Sequence, residues 1–243
     1  MRTLNVKTKL EEMGVALDSI VMGDFDTLGE FTAKRTRDPN DPNYKKYGAV
    51  YRSNYERGIL IYYLIRQYNL TSMLEIGFGR GYSALCAAKA FYDAGLPGKV
   101  TTVEPNVDDK FLNALGQVLP TELFKYVQFA RGTSQQVLPT LSGPYDLIYI
   151  DGDHSYEGTK HDWLQTKDKW TKFCLFDDYH LPSKSDPGIK CSQAIDEIDD
   201  PSKELIIMDR IMFADDKHQG VDRDYGQVLL TKPGEVGGER ADW

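Results

Sequence analysis

Residues 72–81 read Ser72-Met73-Leu74-Glu75-Ile76-Gly77-Phe78-Gly79-Arg80-Gly81. A short apolar run enters three closely spaced glycines, and a helical pattern, Tyr82–Ala94, follows at once. A strand that turns into a helix through glycines opens a βαβ unit, and open α/β sheets bind ligands at such carboxyl ends. Glycine there permits positive φ and lets a ligand lie against the backbone. The spacing is G-x-G-x-G, where a dinucleotide site wants G-x-G-x-x-G. An acid, Glu75, stands two residues ahead of Gly77, which suits a cationic ligand group better than a pyrophosphate.

Outward from this loop, apolar runs alternate with helical patterns. Strands are expected at Ser72–Ile76, Lys99–Glu104, Tyr126–Ala130, Asp146–Asp151, Phe173–Asp177, Glu204–Ile211 and Gln227–Thr231. Helices are expected at Tyr82–Ala94, Asp108–Leu119, Ser134–Leu138, Glu157–Trp170 and Cys191–Ile198, with one more, Asn54–Asn69, packed on the sheet ahead of the first strand. The order predicts a Rossmann-like, doubly wound α/β sheet of seven strands, mostly parallel, its last two forming an antiparallel edge hairpin. Residues 1–53 are polar and turn-rich, broken by Asp38-Pro39-Asn40-Asp41-Pro42-Asn43, and read as a loop-like lid over the substrate. The core is expected over 54–232, and 233–243 as a flexible tail.

The net charge of −8 disfavours nucleic acid and anionic lipid. No run approaches a membrane helix, and Met1–Leu10 lacks the apolar core of a signal peptide. Cys86, Cys174 and Cys191 are odd in number and widely spaced, which reads as reduced thiols in a cytoplasmic protein. The sequence is compatible with a homo-oligomer.

Other strand ends carry the remaining chemistry. The second ends at Glu104, a carboxylate placed to accept from ribose hydroxyls, and the third at Arg131-Gly132-Thr133-Ser134, whose backbone and hydroxyls face an adenine edge. The fourth delivers Asp151-Gly152-Asp153-His154 and the fifth Asp177-Asp178-Tyr179-His180. If these strands are neighbours, Asp151, Asp177 and Asp178 converge, and three close carboxylates repel one another unless a cation neutralises them. An all-oxygen set selects Mg²⁺, with Mn²⁺ or Ca²⁺ as substitutes. The other reading makes Asp177-Asp178 a turn and Asp151 a plain strand-end acid.

Residues 72–178 resemble the core of class I S-adenosylmethionine-dependent methyltransferases. Asp151-Gly152-Asp153-x-x-Tyr156-Glu157 followed by Asp177-Asp178-Tyr179 is similar to metal-dependent O-methyltransferases, most closely the macrocin-type sugar enzymes and more distantly the catechol type. The stretch Gly188 to Glu197, a glycine ahead of Ala194-Ile195-Asp196-Glu197, is also similar, whereas His180 departs from the macrocin-type pattern. The resemblance implies O-methylation of a small hydroxylated acceptor, a sugar or phenol. It implies S-adenosylmethionine held by Glu75, Gly77, Gly79, Gly81, Ser83, Glu104, Thr133, Ser134 and Asp151, and a metal on Asp151, Asp177 and Asp178. Asp153 is the candidate base, with His154 its competitor because imidazole titrates nearer neutral pH. The aromatic and basic residues Phe31, Tyr44, Tyr47, Tyr51, Arg35, Arg37 and Lys45 suit acceptor binding or ordinary packing. Alternative readings are a metal-independent methyltransferase, a nicotinamide-dependent oxidoreductase, and a cofactor-binding protein without activity.

Overall fold

The computed structural model describes residues 1–34, 55–79, 81–118, 120–180, 190–208 and 225–234. Its strands are β1 (Arg2–Asn5), β2 (Ser72–Ile76), β3 (Lys99–Glu104), β4 (Val127–Arg131), β5 (Tyr145–Ile150), β6 (Trp170–His180), β7 (Glu204–Ile207) and β8 (Tyr225–Thr231). They form one sheet in the order β1-β7-β8-β6-β5-β2-β3-β4. Strands β6, β5, β2, β3 and β4 run parallel, while β8 pairs antiparallel with both β6 and β7. The Rossmann-like, mostly parallel sheet read from the sequence is therefore present. After β4 the chain crosses back to lay β5 on the other side of β2, so the gap between β2 and β5 is the topological switch point where such sheets bind ligands.

The parallel strands alternate between two packed faces. Met73, Leu147, Tyr149, Phe173 and Leu175 enter one apolar cluster, and Leu74, Ile76, Ile148, Ile150, Cys174 and Phe176 enter the other. Burial on both faces explains why these strands read as near-continuous apolar runs. The first cluster is roofed by α3 (Tyr55–Gln67) and α4 (Tyr82–Asp93), the second by α8 (Tyr156–Thr166) and α9 (Cys191–Asp196). The two helices of the first roof approach closely at Gly58, where a Cβ would lie 2.5 Å from Cys86 Sγ and 2.6 Å from the Tyr82 ring.

The N-terminal segment departs from its reading as a loop. An eighth strand, β1, joins β7 in parallel outside the antiparallel pair, and α1 (Val6–Glu12) and α2 (Met22–Lys34) follow. Val6, Leu10 and Met13 are buried at helical spacing, and Asn5 caps α1 by accepting from Thr8 N at 2.8 Å. The interspersed charges hid this pattern, yet they find partners on the surface. Glu204 of β7 pairs with Arg2 at 3.0 Å and with Lys9. Of the residues read from the sequence as a lid, Arg35, Arg37, Tyr44, Lys45, Tyr47 and Tyr51, with the expected boundary at residue 53, lie outside the described residues, as does the tail from 235 onward.

The helix expected over Glu157–Trp170 ends early, because Trp170 begins β6 with its ring buried. Short helices α5 (Asp109–Val118), α6 (Thr121–Phe124) and α7 (Ser134–Val137) complete the crossovers. Cys86, Cys174 and Cys191 are free, buried thiols, and no helix of the described residues is long and apolar enough to cross a membrane.

Candidate active site

The glycine loop sits at the switch point. Gly77 has φ 92° and donates its N–H to Val103 O at 3.0 Å, while Asp151 N donates to Ile76 O at 2.9 Å. A Cβ on Gly77 would lie 2.1 Å from the Asp151 carbonyl oxygen, so only glycine permits this contact between the first and fourth crossovers. Gly79 and Gly81 also adopt positive φ, and the loop leads into α4.

Glu75 is fully buried, and burial pushes its carboxyl up to about 7 against the hydrogen bonds that favour its ionised form. Ser83, in the first turn of α4, donates to Oε1, and Oε2 has no hydrogen-bond partner among the described residues. A buried acid beside a glycine cradle fits the amino group of S-adenosylmethionine. Glu104 closes β3 and accepts from Asn106 N at 3.0 Å, and Gly132 N donates to its carbonyl at 3.2 Å. Thr133 and Ser134 are thereby brought beside Glu104. Thr133 caps α7 in a reciprocal capping box with Gln136, and Ser134 faces the buried Asp162. The residues read from the sequence as the cofactor side thus line one stretch of the sheet edge.

Across the switch point the acids converge. Asp177 and Asp178 are consecutive in β6, and side chains of consecutive strand residues normally point to opposite faces. A bulge removes the conflict. Phe176 pairs with Val228 and Tyr179 with Gly226, which inserts one extra residue in β6, and Asp178 takes φ 54°. Asp178 N then donates to Asp177 Oδ1 at 2.8 Å, and Cys191 Sγ donates to Asp178 O at 2.8 Å.

The charge balance of this cluster includes a residue that the sequence reading missed. Arg57, in the first turn of α3, places Nη1 2.5 Å from Asp177 Oδ2 and 3.6 Å from Asp151 Oδ2, and Nη2 3.7 Å from Asp178 Oδ1. Asp177, whose side chain is 0% exposed, also accepts from the Tyr149 hydroxyl and lies 3.5 Å from Gln227 Nε2. Three convergent carboxylates therefore do not by themselves require an added cation. A charged Glu56-Arg57 pair opening an otherwise apolar helix was the signal available for Arg57.

His154 is the second cation. Its Nδ1 lies 2.6 Å from Asp178 Oδ2 and its Nε2 3.6 Å from Asp151 Oδ1. The hydrogen bond to Asp178 raises its pKa to about 9. Asp151 is held well above the usual carboxylate range, first by burial and then by the charge of Asp177, with Arg57 opposing. Ligand atoms of Asp151, His154 and Asp178 lie within 4.8 Å of one another, the only such trio among the described residues. This set differs from the three aspartates read from the sequence, because Asp177 is turned toward Arg57 and Tyr149. Asp153 lines the same cavity, exposed, and accepts from Ser155 N at 3.0 Å.

Residues 74–179 match a family model described as a methyltransferase domain. This part of the chain is a methyltransferase domain. No curated protein sequence matches the chain significantly. Among solved structures, the chain is similar to the O-methyltransferase TomG from Streptomyces achromogenes, in complex with SAM, at 19% identity and a TM-score of 0.58, with 84% of this chain and 89% of that one covered. It is similar to the O-methyltransferase from Bacillus cereus in complex with SAH at 17% identity and TM-score 0.54, over 85% and 91%. The SAH-bound Podospora anserina methyltransferase PaMTH1 is similar at 19% and 0.55, over 85% and 88%. At these identities the likeness is one of fold. The methyltransferase domain found here agrees with the S-adenosylmethionine-dependent class that its glycine loop and strand-end acids resemble. The oxidoreductase alternative falls with it.

Proposed function

We propose that the chain catalyses S-adenosylmethionine-dependent O-methylation of a small hydroxylated acceptor, a sugar or phenol. The observation that carries this reading is the contact of Gly77 with the Asp151 carbonyl, which sets the glycine cradle and the acidic cluster edge to edge. Glu75 binds the cofactor's amino group and Glu104 its ribose, while Thr133 and Ser134 meet the adenine. Holding cofactor and acceptor in line supplies much of the rate. The cofactor supplies the methyl group, and a divalent cation, Mg²⁺ or its substitutes Mn²⁺ and Ca²⁺, would lower the cost of an acceptor alkoxide.

The donor set fits such a cation on Asp151, Asp178 and His154 once the imidazole has released its proton, next to an Asp177 already paired with Arg57. With His154 engaged by Asp178, Asp153 is the base that takes the acceptor proton. The buried free thiols support a reducing, cytoplasmic setting. A second reading, transfer without metal, has its own support, since Arg57 already supplies positive charge to the cluster.

The test is transfer of a labelled methyl group from S-adenosylmethionine to a panel of catechols, phenols and sugars, with Mg²⁺ and with chelator. Methyl ethers formed in the presence of Mg²⁺ and suppressed by chelation are expected. Ethers formed equally well under chelation favour the metal-free reading. Absence of both transfer and adenosylhomocysteine binding defeats the proposal.

A further inference from the structure

We infer that Arg57 is a built-in counter-ion that withdraws Asp177 from divalent-cation binding, leaving Asp151, Asp178 and the neutral form of His154 as the ligand set and weakening its hold on the ion. The inference deepens the proposed function and rests on its reading of the cluster as a cation site.

Two observations carry it. First, the Asp177 carboxylate is saturated by protein groups: Arg57 Nη1 at 2.5 Å and the Tyr149 hydroxyl engage Oδ2, while Asp178 N at 2.8 Å and Gln227 Nε2 at 3.5 Å face Oδ1. A side chain with 0% exposure and donors on both oxygens would have to break those bonds to ligate an ion. Second, the guanidinium spans all three aspartates, reaching Asp151 at 3.6 Å and Asp178 at 3.7 Å, so any ion held by those two sits within a few Å of a fixed positive charge. Like charges that close in a partly buried site repel strongly. Arg57 cannot shed its charge as a histidine or lysine can, so the repulsion is permanent. Its position is fixed by the close packing of α3 on α4 at Gly58.

The imidazole in the remaining set favours an ion that accepts both nitrogen and oxygen, which makes Mn²⁺ the probe of choice. Mn²⁺ would be titrated by calorimetry into metal-stripped wild type, Arg57→Gln, and the double variant Arg57→Gln/Asp177→Asn. The double variant removes both charges of the buried pair and so leaves no unpaired buried carboxylate to destabilise the fold. Adenosylhomocysteine binding is measured on the same samples. We expect Arg57→Gln to bind Mn²⁺ at least tenfold more tightly than wild type, and the double variant to bind at least as tightly as wild type, with adenosylhomocysteine affinity unchanged in both. Affinity in Arg57→Gln equal to or below wild type overturns the inference. Loss of Mn²⁺ from the double variant overturns it as well, by showing Asp177 to be a ligand. No Mn²⁺ binding in any sample while adenosylhomocysteine binds removes both the inference and the cation site, and leaves the methyltransferase reading standing.

Discussion

The two halves of the sheet edge are built in opposite ways. On the cofactor side, β2, β3 and β4 end in groups that hydrogen-bond near neighbours in sequence: Glu75 to Ser83, Glu104 to Asn106, Thr133 to Gln136. On the acidic side, β5 and β6 end in carboxylates that have near partners too, such as His154 for Asp151, but whose permanent cation, Arg57 on α3, and outer donor, Gln227 on β8, come from far away. Local satisfaction makes a motif that survives as a motif. Remote satisfaction makes a charge balance that exists only when the whole sheet is assembled.

The largest effect is expected at the contact joining the halves. Gly77→Ala drives a Cβ into the Asp151 carbonyl at 2.1 Å. Adenosylhomocysteine binding should fall by more than roughly a hundredfold, with stability reduced by about 3 kcal/mol or more, as read by calorimetry and urea unfolding. Next, Asp178→Asn should separate the halves. Methyl transfer should fall roughly a hundredfold, the scale of a lost electrostatic or proton-transfer contribution, while adenosylhomocysteine affinity changes little. Equal losses in both quantities would mean that the halves act as one site.

The remote pairing is tested by stability. Arg57→Ala leaves Asp177 buried without its main cation and should cost about 3–5 kcal/mol, much of it recovered when Asp177→Asn is added. Denaturant midpoints of the two single variants and the double variant give the coupling.

The smallest effect is expected at Asp162. Its side chain is buried beside Gly152, between the two halves, and burial raises its pKa to about 6. A folded pKa above the unfolded value near 3.8 means that the group's stability contribution is complete below that value and lost as pH rises through about 6. Asp162→Asn should therefore stabilise the protein by at most on the order of 3 kcal/mol at pH 8, with the gain shrinking toward pH 4. A gain independent of pH in thermal melts would show that the carboxyl is not buried in its ionised form.

The same contrast explains how much could be read in advance. Strands β2 and β3 match their expected bounds residue for residue, because apolar runs buried on both faces and closed by glycine or an acid have few other readings. The N-terminal strand and helices were missed because their apolar residues are spaced among charges, and two of these, Arg2 and Lys9, find a partner on β7, distant in the chain. Within the site, the convergence of Asp151, Asp177 and Asp178 was legible from strand order. The bulge at Asp178 was not, since nothing in Asp177-Asp178-Tyr179 marks an extra residue until Phe176 and Tyr179 find their partners on β8.

The class of fold, and the placement of Gly77, Glu104 and Thr133 along one sheet edge, were therefore legible in the sequence. Hydrophobic period, glycine spacing and strand-end acids act over a few residues, and the backbone has little freedom to place them elsewhere. Only the tertiary structure decided how the acidic half is neutralised. Coulomb interactions depend on distance in space, and the distance from Arg57 to Asp177 is set by helix packing at Gly58 and by sheet order, neither of which a linear string of residues contains.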